Sequence, residues 1–62
     1  MDTIKEVLIR RDEMTAIEAE ELIEEATEQF NIYLEQGMMA EAENICQEFF
    51  GLEPDYLFEI IN

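Results

Sequence analysis

Cys46 is the one thiol that the 62-residue chain offers, and with no His and no Ser the sequence supplies little from which to build a base and nucleophile pair. Its place between Ile45 and Phe49 on an apolar stripe points to a small core residue rather than a reactive one. Carboxylates are plentiful, but Glu18, Glu20, Glu21, Glu24, Glu25 and Glu28 crowd one exposed helix face. No pocket there would raise one pKa above another, as acid–base catalysis requires. Structural zinc wants several Cys and His, di-iron bundles use Glu-x-x-His, and an EF-hand loop needs alternating Asp or Asn before a central Gly. None of these patterns occurs in the sequence. The expectation is a protein without catalytic residues, cofactor or metal.

Charge narrows the classes further. Seventeen Asp plus Glu against three Lys plus Arg leave a formal charge of -14. Binding nucleic acid directly requires cations that displace counterions from phosphates, and only Lys5, Arg10 and Arg11 are present, so no direct nucleic-acid contact is expected. An anionic membrane surface is disfavoured for the same reason. The start of the chain has no signal-peptide h-region, and no apolar run approaches the ~18 residues of a membrane span, which predicts a cytoplasmic protein. The single cysteine excludes an internal disulfide, leaving packing, a partner or self-association to stabilise so small a core.

The elements that must position these residues are helices. Thr3 with Glu6, and Thr15 with Glu18, both show the capping-box spacing, and Met14 is placed to staple against Ala19. Ala19, Leu22, Ile23, Ala26, Phe30, Tyr33 and Leu34 trace an apolar stripe at the helical period. Met38, Ala42, Ile45, Cys46 and Phe49 repeat it, and Gly37 and Gly51 follow helical patterns as terminators. Pro54 suits a first helical position, with Leu52 and Leu57 spaced as a staple. The spacing predicts an all-α, single-domain bundle of three to four helices over about 3–11, 15–36, 38–50 and 54–61, with no sheet. The second helix, roughly 30 Å long, exceeds what its neighbours would cover, so part of its stripe is expected to face a partner.

Val7-Leu8-Ile9-Arg10-Arg11-Asp12, then Met14-Thr15 leading into Glu18-Ala19 and Leu22-Ile23, then Ala42-Glu43 and Phe50-Gly51-Leu52-Glu53-Pro54-Asp55-Tyr56-Leu57, form a pattern that covers most of the chain. It resembles small acidic helical proteins of tailed phages, prophages and their bacterial hosts. Glu13 departs from that pattern where a glycine would be usual between the first two helices, and Met38 where an aspartate cap would be usual. The resemblance implies a phage or mobile-element context and no particular activity.

From Glu18 to Glu28 six carboxylates occupy about 15 Å of helix, roughly one per 2.5 Å, against about 1.7 Å per charge along duplex DNA. Solvation and helix propensity explain why the residue is Glu. They leave unexplained why residues 12 to 36 hold no basic residue for i,i+4 pairing. The reading is a protein–protein interaction module in which Glu18, Glu20, Glu21, Glu24, Glu25 and Glu28 meet a basic surface of a nucleic-acid-handling host protein. It would inhibit that protein as DNA-mimic or anti-defence proteins do, those of the anti-CRISPR type included. Met39, Phe50 and Phe58 are expected to form an apolar patch suited to a partner or to self-association. Arg10 and Arg11 are expected to favour the end of the first helix and to pair with Asp12 or Glu13; the sharper alternative makes them an anchor for a partner acid or for a second copy of the chain. A second reading is a self-assembling structural or accessory protein, a homodimer or larger, whose charge serves solubility only.

Overall fold

A computed structural model describes residues 2–61, and within them the chain is all-α: α1 (Ile4–Arg11), α2 (Ala16–Glu35), α3 (Met39–Glu43), α4 (Ile45–Phe50), a 3-10 turn (Pro54–Tyr56) and α5 (Leu57–Ile61). Each start has a physical cause. The Thr3 hydroxyl accepts from the Glu6 N–H while the Glu6 carboxylate accepts from the Thr3 N–H, and Thr15 with Glu18 repeats the arrangement. The Thr3 backbone N–H and then its hydroxyl hold the Glu6 carboxyl below its usual range. A carboxylate with a depressed folded pKa stabilises above its unfolded value, so this cap is complete at neutral pH and fades as pH falls through the folded value.

The helix ends depend on left-handed residues. After α2, Gly37 at φ 73° lets the Met38 N–H reach the Tyr33 carbonyl at 2.8 Å and its own N–H reach that of Leu34 at 3.1 Å. Gly51 at φ 65° ends α4, and the Leu52 N–H turns back to the Cys46 carbonyl. The chain turns the same way after α1, where the Met14 N–H returns to the Leu8 carbonyl, but Glu13 occupies the left-handed position at φ 57°. A glycine would sit there without the Cβ penalty, which is why that departure from the pattern matters. Met38, the other departure, caps α3 with no side-chain hydrogen bond.

The expected third helix is divided. Asn44 at φ -94°, ψ 6° donates to the Glu41 carbonyl in a tightened turn, separating α3 from α4. Asn favours such local turns over a helix interior. Pro54 opens a 3-10 turn that passes directly into α5, so the last segment begins more tightly wound than predicted.

α2 is the axis of the molecule and touches α1, α3, α4 and α5. Its Ala19, Ala26 and Phe30 are buried with Ile4 and Leu8 of α1, Ala42 of α3, Ile45, Cys46 and Phe50 of α4, and Ile60 of α5. Leu22, Ile23 and Tyr33 pack half-buried against that cluster, so the stripe expected to reach a partner is largely covered within the chain, Leu34 excepted. Met14, Leu52 and Leu57 join the same cluster, consistent with the two staples. Replacing Glu13 with Gly is expected to raise stability by about 1 kcal/mol. By circular dichroism the melting temperature should rise by roughly 4–8 °C, while Glu13→Gln, which alters charge alone, should give less. An unchanged or lower value for the glycine variant would contradict the turn assignment.

Candidate functional site

Ala19, Ala26 and Phe30 fix one side of α2 against the core, so at 100° per residue the opposite side must face water. Glu18, Glu20, Glu21, Glu24, Glu25 and Glu28 are all exposed there, spread over roughly 160° of the helix circumference. Glu21, Glu24, Glu25 and Glu28 surround one shallow dip. Met14 and Leu22, with Glu18, Glu21 and Glu25, line the next.

Among the described residues Lys5, Arg10 and Arg11 each have an acidic partner. Lys5 of α1 reaches Glu20 at 2.6 Å, Arg10 pairs with Asp2, and Arg11 holds Asp12 through two nitrogens at 2.9 and 3.0 Å. That fork keeps the Asp12 carboxyl below its usual range. Arg11 also donates to the carbonyl of Phe50 at the end of α4, so it caps that helix and ties it to α1. Glu18 keeps its capping bond to Thr15, and among the described residues Glu21, Glu24, Glu25 and Glu28 have no ion-pair partner. The Lys5 bridge joins α1 to α2 across the fold. A local charge count along α2 misses it, and as an exposed pair it contributes little stability.

The predicted apolar patch is corrected. Phe50 is 2% exposed and lies in the core, with its ring centroid 6.3 Å from that of the half-buried Phe49. Adjacent residues on a helix point about 100° apart, and α4 turns Phe50 inward with Cys46. Met39 and Phe58 are exposed as expected, on α3 and α5, with Ile61 exposed one turn beyond Phe58. Residues missed from sequence are Ile17 and Ile32, both exposed on α2. Their signal was available: neither belongs to the apolar stripe, so each marks a hydrophobic side chain off the core face.

Cys46 is fully buried; burial first, and the nearby charge of Glu59 second, push its thiol pKa up. Among the described residues no group of three or more His, Cys, Asp and Glu is arranged to hold a metal ion, and no helix is long and apolar enough to cross a membrane. Comparison of the chain with protein-family models, curated proteins and solved structures returns no match.

Two outcomes follow from this geometry. Like charges without cations repel, so the melting temperature is expected to rise as NaCl goes from about 10 mM to about 150 mM, over which the screening length falls from about 30 Å to about 8 Å. A fall would mean that attractive pairs dominate instead. The Cys46 thiol is expected to resist a thiol-specific chromogenic reagent in the native protein and to react fully in denaturant. Rapid native reaction would contradict its burial.

Proposed function

We propose that the chain is a small acidic protein–protein interaction module, encoded by a phage or mobile element, that acts in the cytoplasm of a bacterial host cell. It works by contact and without catalysis. Its α2 face occupies a basic surface of a nucleic-acid-handling host protein and inhibits that protein, in the manner of DNA-mimic and anti-defence inhibitors such as anti-CRISPR proteins.

The observation that supports this reading is the unneutralised stretch of α2, where Glu21, Glu24, Glu25 and Glu28 stand exposed while Arg10 and Arg11 are engaged elsewhere and Lys5 pairs with Glu20 at the edge of the face. A helix face needed only for solubility gains from mixed signs at i,i+4 spacing, whereas repulsion within a single-sign face is a cost that binding a basic partner offsets. A second copy is the weaker occupant, since apposing two α2 faces would set carboxylate against carboxylate.

The variant Glu20→Gln, Glu21→Gln, Glu24→Gln and Glu25→Gln tests the proposal, because exposed isosteres leave the core untouched. In an affinity pull-down from bacterial lysate the wild type is expected to retain a basic nucleic-acid-binding protein at low salt and release it at high salt. The variant should retain much less while keeping its helical circular dichroism. Equal retention by the folded variant would overturn the role of this face.

A further inference from the structure

Among the carboxylates of α2 stand two residues that solvation does not account for. Ile17 is 68% exposed and Ile32 is 43% exposed, on a helix whose core side is already filled by Ala19, Ala26 and Phe30. At 100° per residue the two lie within about 60° of each other, and their separation along the axis is about 22 Å. Glu21, Glu24 and Glu28 fall between them on the same strip. β-branched residues are poorer helix formers than the Glu, Gln or Lys that an exposed position would otherwise hold. One exposed aliphatic residue is ordinary; two in register on one face, bracketing a run of acids, form a contact surface with apolar ends and a charged centre.

We propose that Ile17 and Ile32 are the apolar anchors of this face, and that its occupant is a cationic amphipathic helix of the partner, with Lys or Arg against the carboxylates and an aliphatic side chain against each isoleucine. This rests on the acidic-face reading above and names the chemistry of the partner. Charge selects a cationic occupant over a second copy, a nucleic acid or an anionic membrane. The 20-residue length of α2 and the equal rise of two helices laid side by side let a partner helix match both anchors at once. The backbone of a duplex offers no aliphatic groups at such a spacing. The isoleucines therefore give the face a preference for aliphatic groups that a pure charge mimic lacks, and this preference persists while screening by salt weakens the overall affinity.

Two synthetic helical peptides test this by isothermal titration calorimetry. One is lysine-rich with two leucines at the separation of Ile17 and Ile32; the other has alanines in their place. Both are titrated at low and at high salt into wild type, Ile17→Ser/Ile32→Ser, and the control Ile61→Ser, an exposed isoleucine away from α2, each first shown by circular dichroism to be folded. The leucine peptide is expected to bind wild type and the control at least about tenfold more tightly than the alanine peptide, as burial of branched aliphatic side chains implies. That advantage should persist at high salt and vanish in the Ile17→Ser/Ile32→Ser variant. Equal binding of both peptides to wild type, or an advantage that survives loss of the isoleucines, overturns the anchors and leaves the acidic-face reading standing. Failure of both peptides to bind even at low salt overturns the two together.

Discussion

Burial of one side of α2 is the constraint on which the rest of the structure depends. The chain is too short to build a second layer, so α1, α3, α4 and α5 all gather on the side marked by Ala19, Ala26 and Phe30. Small residues at two of those three positions let neighbouring backbones approach α2 closely. Once the apolar material is spent there, the other side of α2 has no cover. Its composition is then free to answer to charge and to contact, and it is filled with glutamate and two isoleucines.

Closure of the bundle falls to polar groups at its ends. Glu59 of α5 accepts from the Ile4 N–H at 3.0 Å, satisfying a donor that the first turn of α1 leaves open. Arg11 donates to the Phe50 carbonyl, joining the end of α1 to the end of α4. Tyr33 of α2 donates its hydroxyl to Glu48 of α4 at 3.3 Å. These contacts tie distant parts of the sequence together, and they engage Arg11 with the fold itself. Among the described residues the three basic side chains are thus engaged within the fold, while Glu21, Glu24, Glu25 and Glu28 of α2 have no ion-pair partner.

What the sequence reveals follows the range of the forces involved. Capping boxes, staples and the terminating glycines act within a few residues, so both capping boxes and both left-handed glycines stand where the sequence predicts them. The left-handed turn at Glu13 is legible only as an oddity of residue type, because nothing local requires it. Whether Phe49 or Phe50 turns inward is decided by how α4 lies on α2, and a one-residue choice on a helix cannot be read from period alone. The Lys5–Glu20 and Glu59–Ile4 contacts span the fold and leave no mark in the sequence. Exposure of all six glutamates was legible, because the stripe opposite them is continuous.

In the proposed function the acidic side of α2 competes for a surface that otherwise holds phosphates. The most direct measurement is fluorescence anisotropy of a labelled DNA duplex bound to the retained host protein, titrated with the wild-type chain at low salt. Release of the duplex as the chain saturates its partner, at one chain per duplex site, is the predicted result. A duplex that stays bound while the chain also binds would place the contact elsewhere and contradict the account.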